Sequence, residues 1–283
     1  MEDHRSQRAL ADVLAEVEGW APDTVAVGVT DPTGTLATHG PVEQVLPFTS
    51  VTKPLAAYAI LIAIQDGTIA LDEPVEVDGA HDGITVRHLL AHAGGLPMDE
   101  GGPVTAVGQK RIYSNWGFDV LAQLTEERLD LPFDDHLDIE VLTPLGMSGT
   151  RLDGSPADAG EGTVADLLAF ARELLDPQLL DRELFEVATR PVFAELGGVV
   201  PGFGRQEPNP WGLGFEVRDE KDPHWTGSEH AAETFGHFGG SGSFLWVDPR
   251  RDLAAVLLAD QEFGGWAKEV WPAFNDAILA AAP

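Results

Sequence analysis

The sequence predicts an α+β fold in which an antiparallel sheet, built from both ends of the chain, is flanked by helices and interrupted by an inserted, mainly helical region. Two stretches, residues 24–38 and 212–258, contain short runs of β-branched and apolar residues bounded by turn residues, as is typical of strands. The segment between them shows the apolar spacing of helices. Strands at both ends with helices between them favour one sheet formed from the two termini.

The first element is an amphipathic helix over residues 1–19, because Leu10, Val13, Leu14 and Val17 recur at helical spacing among charged residues. This segment contains no apolar signal-peptide core. No stretch of the chain reaches the roughly 18 uninterrupted apolar residues of a membrane-spanning helix. We therefore expect a cytoplasmic protein.

A hairpin and a long helix come next. Thr24–Val29 and Thr35–Thr38 are predicted strands, since Asp31–Gly34 supplies a turn with proline and glycine between them. The apolar run after Pro54 predicts a helix that begins near Ser50, because proline is tolerated in a helix only in the first turn.

The rest of the chain completes the two regions. Residues 69–162 show helical segments separated by loops rich in proline and glycine, and Thr163 caps a predicted helix that extends to Leu175. Further strands are predicted at Gly212–Arg218, Glu233–His237, Ser243–Val247 and Leu253–Leu258, and a last helix at Trp266–Ala281. We expect residues 1–68 and 163–283 to form a sheet domain and residues 69–162 a helical region.

The chain of 283 residues is strongly acidic, with 47 acidic and 17 basic residues and a formal net charge of −30. Such a charge argues against nucleic acid and anionic membranes as partners. The chain has no cysteine, so it has neither disulfides nor thiolate metal ligands. We expect no cofactor and no metal ion, and the sequence leaves the oligomeric state open.

Ser50 and Lys53 form a Ser-x-x-Lys motif at the predicted start of the long helix. Unpaired backbone N–H groups and the positive end of the helix dipole lie there, and both favour negative charge on a serine oxygen. Lys53 is on the same helical face among apolar neighbours, which lower the proton affinity of an amine. The pair is therefore a candidate nucleophile with a proton-transfer partner. A capping serine beside a lysine that extends to solvent is the open alternative.

Two further clusters offer groups suited to catalysis. Tyr113 and Asn115 stand at the entrance to a predicted helix, where a tyrosine near a buried lysine is suited to proton transfer and an asparagine can both donate and accept. His237, Gly239 and Gly240 interrupt a strand-like run, and glycines there mark a bulge or the close approach of another molecule. A half-buried tyrosine with a capping asparagine, and a core histidine before a plain hairpin turn, are the structural alternatives.

Together and in this order, the three clusters resemble the motifs of the penicillin-recognising serine hydrolases, a family that includes class C β-lactamases, D,D-peptidases, D-aminopeptidases and β-lactamase-like esterases. Residues 84–97 and 142–147 are similar to the family's linking segments, so the resemblance extends from about Thr24 to the end of the chain. It implies a β-lactamase/transpeptidase-like fold with the active site in the cleft between the two regions.

The resemblance also implies a role for each residue. Ser50 attacks a carbonyl to form an acyl-enzyme, while Lys53 and Tyr113 transfer protons. Tyr113 acts as the base and then protonates the leaving group. The backbone N–H groups of Ser50 and Gly240 form the oxyanion hole, and Asn115 orients the substrate.

His237 departs from the pattern of β-lactamases and D,D-peptidases, which usually carry the lysine of a Lys-Thr-Gly motif at this point. Histidine is largely neutral near pH 7, so it offers no fixed charge to a substrate carboxylate. We expect His237 to be a neutral, substrate-facing donor beside Gly239 and Gly240, and the substrate to be a small ester or amide. β-Lactamase or D,D-peptidase activity, acyl transfer, and an acylated binding module without turnover are the alternatives.

Other histidines give weaker signals. His88 and His92 have zinc-ligand spacing, but Leu89 stands where a metalloprotease needs a glutamate, so this motif fails. His92 is therefore expected to be structural. His224 and His230 lie in a polar loop and are expected at the surface or at the rim of the cleft.

Overall fold

The structure, a computed structural model, describes residues 9–283. Six strands from both ends of the chain form its main sheet: β1 (Val25–Asp31), β2 (Gly34–His39), β8 (Glu216–Val217), β9 (Phe235–Gly239), β10 (Ser243–Asp248) and β11 (Leu253–Ala259). Their spatial order is β2-β1-β11-β10-β9-β8, and each neighbouring pair is antiparallel. The predicted α+β architecture is therefore confirmed.

Helices flank the sheet. Residues 9–14 form α1, which continues into a 3-10 turn; residues 1–8 of the predicted first helix lie outside the described residues. The other helices are α2 (Thr52–Gln65), α3 (Val86–Leu90), α4 (Trp116–Leu129), α5 (Phe133–Leu137), α6 (Thr143–Leu145), α7 (Val164–Leu175), α8 (Arg182–Thr189) and α9 (Gly265–Ala281). Within residues 9–283, none of the helices has the length and apolar character needed to cross a membrane.

The two faces of the sheet belong to separate apolar clusters. Val25, Val27 and Val29 of β1 are buried in the cluster that contains α9, while the opposite face belongs to the cluster that contains α2 and α7. A methyl group on Gly28 would lie 2.6 Å from Leu168 Cδ1. Glycine at this position therefore lets α7 lie close against β1.

Helix α2 runs through the larger cluster and is buried from Thr52 to Ala63, which explains why its sequence is apolar all round. The 3-10 turn Thr49–Val51 precedes it directly. Ser50 therefore lies at the start of the helix, as Pro54 in the first turn predicted.

Strand β8 is shorter than the predicted strand Gly212–Arg218. The Leu213 N–H donates to the Ala188 carbonyl of α8. The Gly214 N–H donates to the Leu90 carbonyl of α3, and Gly214 itself has a φ of 88°. The backbone before β8 is therefore bonded to helices, which keeps it out of the sheet.

Two small sheets, which the sequence patterns did not predict, complete the fold. One contains β3 (Leu46–Pro47), β4 (Arg151–Leu152) and β5 (Gly160–Gly162), and the other is a hairpin of β6 (Gly198–Val200) and β7 (Gly204–Gln206). Strand β3 leads into the Ser50 turn. A bridge between Arg111 and Gly198 places the β6–β7 hairpin beside the segment that carries Tyr113.

Candidate active site

Ser50 is half-buried in the turn between β3 and α2. The preceding Thr49 has a φ of 46°, in the left-handed region that a non-glycine residue occupies only where its surroundings impose it. The Thr49 hydroxyl donates to the Phe48 carbonyl at 2.8 Å and accepts from the Ser241 N–H at 3.0 Å. These bonds fix the backbone at Ser50 against the end of β9.

Lys53 is fully buried in the first turn of α2, and its Nζ donates to Asn115 Oδ1 at 2.6 Å and to the Ala157 carbonyl at 3.0 Å. The Ser-x-x-Lys spacing predicted Ser50 as its neighbour, but its hydrogen bonds go to these two acceptors. Burial lowers the pKa of Lys53 from 10.5 to about 7, against the opposing effect of nearby carboxylates, chiefly Asp158. Both protonation states are therefore populated at neutral pH.

Tyr113 brings Ser50 and Lys53 together. Its ring lies 4.6 Å from Lys53 Nζ, measured to the ring centroid, and its hydroxyl is hydrogen-bonded with Ser50. The rings of His92 and Trp211 pack against it, with centroids 4.7 Å and 5.9 Å away. Burial raises the pKa of Tyr113 above its ordinary value, and the bond with Ser50 offsets only part of this shift. Tyr113 therefore rests as a neutral phenol.

Asn115, directly before α4, connects Lys53 to Asp158. Its Oδ1 accepts from Lys53, and its Nδ2 donates to Asp158 Oδ2 at 3.2 Å. The carboxylate thus sets the orientation of the amide, with the oxygen toward the lysine. An asparagine fixed in this way holds Lys53 in place.

His237 of β9 is buried, and its Nδ1 lies 2.6 Å from the Phe238 carbonyl. A carbonyl only accepts, so Nδ1 carries the proton and Nε2 is left as an acceptor, 3.5 Å from the Tyr113 hydroxyl. Burial, and next the Lys53 charge, lower the pKa of His237 to about 3. The prediction of a neutral side chain therefore agrees with this pKa, and His237 lines the same cavity as Ser50. The predicted donor role is wrong, because the N–H of the neutral ring is bonded to the Phe238 carbonyl.

The two predicted glycines differ in their surroundings. A side chain on Gly239 would meet the Phe48 carbonyl, the Thr49 hydroxyl and the Ser243 hydroxyl, so glycine lets β9 approach the Ser50 turn. Gly240 has open space around it, and its carbonyl accepts from the Phe263 N–H at 2.8 Å. Gly240 and Ser50 line the same cavity, so the two residues border one space.

A buried charge cluster beside the site was missed by the sequence analysis. Glu216 accepts hydrogen bonds from Lys221 Nζ at 2.8 Å, His224 Nε2 at 3.2 Å and Trp225 Nε1 at 2.6 Å. Burial acts to raise the pKa of Glu216, but the Lys221 charge and the hydrogen bonds from His224 and Lys221 lower it below its ordinary value. The sequence signal that could have predicted this cluster is Glu216 itself, a charged residue between apolar residues in a predicted strand.

His224 and His230 were predicted at the surface or cleft rim, and this is wrong. They are only 6% and 4% exposed. His224 belongs to the Glu216 cluster, and the His230 ring packs edge-on against Trp246 with centroids 4.6 Å apart. Lys221 and His224 of this loop bond to Glu216 beneath the surface, so the polar composition of the loop was a poor guide to exposure.

Two cavities share Tyr113 in their walls. The inner cavity, of about 190 Å³, is lined by Ser50, Tyr113, His237 and Gly240 together with apolar side chains. The outer cavity, of about 480 Å³, is lined by Tyr113 and by the β6–β7 hairpin. Among residues 9–283, no group of three or more histidine, aspartate or glutamate side chains is placed to hold a metal ion.

Comparison with known proteins identifies the family. The Beta-lactamase family matches residues 21–279, and the chain therefore belongs to it. A crystal structure of a beta-lactamase from Mycobacterium bovis is similar, with 46% identity, a TM-score of 0.91, and coverage of 95% of this chain and 98% of that one.

Curated relatives carry different names. Esterase EstB of Burkholderia gladioli is 24% identical over 82% of this chain and 81% of that protein. Penicillin-binding protein 4* of Bacillus subtilis is 26% identical over 36% of this chain, and the match spans only 29% of that protein's length.

Proposed function

We propose that the chain is a serine hydrolase that acts through an acyl-enzyme on small esters or amides. The observation that carries this proposal is the buried lysine with a pKa near 7, held beside a tyrosine that is hydrogen-bonded with Ser50. A merely structural Lys53 would extend to solvent or pair with a carboxylate, and it does neither. Ser50 makes no capping bond to α2, which removes support from the capping alternative.

In acylation, Ser50 Oγ bonds to the substrate carbonyl carbon as its O–H bond breaks. The proton passes to the Tyr113 oxygen while the phenol proton moves toward neutral Lys53, so that no phenolate has to persist. The backbone N–H groups of Ser50 and Gly240 stabilise the oxyanion. When the intermediate collapses, the bond to the leaving group breaks and that group takes a proton from Tyr113, which Lys53 replenishes.

In deacylation, water repeats the same steps. It gives its proton to Tyr113 and attacks the acyl carbon, and the bond to Ser50 Oγ then breaks with return of the proton to Ser50. The acid is released and the starting protonation states are restored. Asn115, oriented by Asp158, would hold Lys53 in place through both halves of the reaction.

The state of His237 supports esters and small amides over penicillins. With a pKa of about 3, it is neutral at pH 7 and leaves this position without a fixed cation for a β-lactam carboxylate. β-Lactam hydrolysis is the alternative, since the Mycobacterium bovis structure is described as a beta-lactamase whereas EstB is described as an esterase.

Acyl transfer is a second candidate, and the outer cavity is the observation that favours it. An alcohol or amine bound there would lie beside Tyr113, where the deacylating water must also give up its proton. The ratio of transferred to hydrolysed acyl groups, measured with an added short alcohol, would separate the two reactions.

Intact-mass spectrometry with a fluorophosphonate and p-nitrophenyl butyrate tests the nucleophile. The wild-type chain should gain one adduct, located on Ser50, and should hydrolyse the ester. Ser50→Ala should keep its fold but lose both the adduct and the ester hydrolysis, because the proposed nucleophile is absent. Ser148→Ala, which removes an exposed hydroxyl, is the matched control and should behave as wild type.

Each departure has a separate meaning. An adduct that forms on Ser50 but is never released would identify the acylated binding module. Failure to label Ser50 while turnover continues would refute the proposed nucleophile. A higher kcat/KM for nitrocefin than for the butyrate ester would establish β-lactam hydrolysis as the main activity.

A further inference from the structure

Neighbouring residues of β6 line different cavities. Val200 is 1% exposed and lines the inner cavity, whereas Val199 is 58% exposed and lines the outer one. Successive side chains of a strand point to opposite faces, so β6 forms a partition between the two spaces.

The inner cavity is small and mainly apolar. Besides the polar groups of the site, its wall consists of Met98, Val200, Pro201, Trp211, Phe238 and Phe263. Glu216 also lines this wall, where Lys221 balances its charge and His224 donates a hydrogen bond to it. The volume of about 190 Å³ exceeds the roughly 150 Å³ of an engineered apolar cavity that binds benzene. It is therefore suited to one ring or a chain of about four to six carbons.

The outer cavity is larger and more polar. Its volume is about 480 Å³, and its wall includes the side chains of Gln109, Lys110, Arg205 and Glu207. Arg205 of β7 is paired with Glu207, which directly follows the strand. A bulkier group with hydroxyl or amide functions can be solvated here and would be excluded from the inner cavity.

The reacting atoms decide which part of a substrate enters which cavity. The acyl carbon bonds to Ser50 and its oxygen faces Gly240, and both residues line the inner cavity but not the outer one. Tyr113, which protonates the leaving group, lines both. We infer that the inner cavity binds the acyl group and the outer cavity binds the alcohol or amine. The substrate class is then a short apolar acyl group on a larger, polar leaving group, and this assignment rests on the proposed serine-hydrolase function.

Two ester series test the assignment: p-nitrophenyl esters from acetate to dodecanoate, and butyrate esters of alcohols of increasing size. For the wild type, kcat/KM should be highest at four to six carbons and at least about tenfold lower at ten. Val200→Ala should move the optimum to longer acyl chains, by about fourfold for each added methylene that the enlarged cavity accepts. Val199→Ala should keep the acyl-chain optimum and change the preference among alcohols.

Phe263→Leu provides a second enlargement of the inner cavity in case Val200→Ala is unstable, and thermal unfolding of each variant checks the fold. Intact-mass detection of the adduct on Ser50 runs in parallel. The subsite assignment is wrong if Val199→Ala moves the acyl-chain optimum, or if neither Val200→Ala nor Phe263→Leu moves it. In that case an adduct on Ser50 would still support the proposed serine-hydrolase function. If no adduct forms in any variant, the proposed function itself fails.

Discussion

At the scale of single residues, one physical effect sets the state of the proton-transfer pair. Burial disfavours charge, so it lowers the pKa of the Lys53 ammonium and raises that of the Tyr113 phenol. The resting pair is then a phenol beside an amine that is partly neutral at pH 7. This arrangement argues against a standing Tyr113 phenolate and favours Lys53 as the group that stores the proton of Ser50.

The dependence of the rate on pH should report on Lys53. Because only the neutral amine accepts a proton, kcat/KM for an uncharged ester should rise with pH through a midpoint near 7. The Asp119 carboxylate raises the pKa of Lys53, so Asp119→Asn should shift the midpoint to lower pH. Glu269→Gln on α9 removes an equal charge on the other side of the sheet and should leave the midpoint in place. A profile that is flat from pH 6 to 8 would contradict this role for Lys53.

At the scale of elements, the site depends on how closely β9 approaches the turn before α2. Ser241, after β9, is hydrogen-bonded to the Pro47 carbonyl and to Thr49. At Gly239 the strand and the turn are so close that a side chain would not fit between them. The left-handed Thr49 is imposed by this contact. The position of Ser50 relative to Gly240 therefore depends on one strand-to-turn junction.

Gly239→Ala tests this junction. The added methyl group would displace the turn, and overpacking of this kind costs about 1–3 kcal/mol. We expect kcat/KM to fall at least about tenfold, because small displacements of reacting groups lower the rate strongly. The melting temperature should fall only modestly. Gly19→Ala meets no atom within 4 Å and is the matched control. If Gly239→Ala keeps the kcat/KM of the wild type, the turn can move without loss of the catalytic geometry, and the position of Ser50 does not depend on this junction.

Local sequence rules predicted the elements that depend on local chemistry. Pro54 placed the helix start at Ser50, and the Thr163 cap is present, with its hydroxyl accepting from the Asp166 N–H at 3.0 Å. The same rules extended β8 too far, because they do not register that backbone groups such as the Leu213 N–H bond to distant helices. The Glu216 cluster was missed for a similar reason: its members meet only after the loop folds over the sheet.

At the scale of the whole molecule, the fold buries several histidines in neutral form. His92, His224, His230 and His237 are all buried, and burial lowers the pKa of each below its ordinary value. The unfolded chain binds these protons at a pKa of about 6.5, so acid favours the unfolded state. Most carboxylates take up protons only below about pH 5. The repulsion among the negative charges of a chain with net charge −30 is therefore reduced only at a lower pH than the one at which the histidines titrate.

The free energy of unfolding should therefore fall between pH 7 and pH 5.5, as measured by urea unfolding. His230 and His237, whose pKa values are lowered to about 4 and about 3, should each contribute about 1 kcal/mol to this fall. His230 is the best single test, because its pKa is lowered to about 4 and neither ring nitrogen has a hydrogen-bond partner within residues 9–283. His230→Phe keeps an aromatic ring against Trp246 and should reduce the loss by about 1 kcal/mol. His81→Gln, at an exposed position, should leave it unchanged. If the free energy of unfolding falls equally in His230→Phe and in the wild type, acid must destabilise the protein through other groups. The buried imidazole of His230 would then not limit the stability of this acidic chain below pH 7.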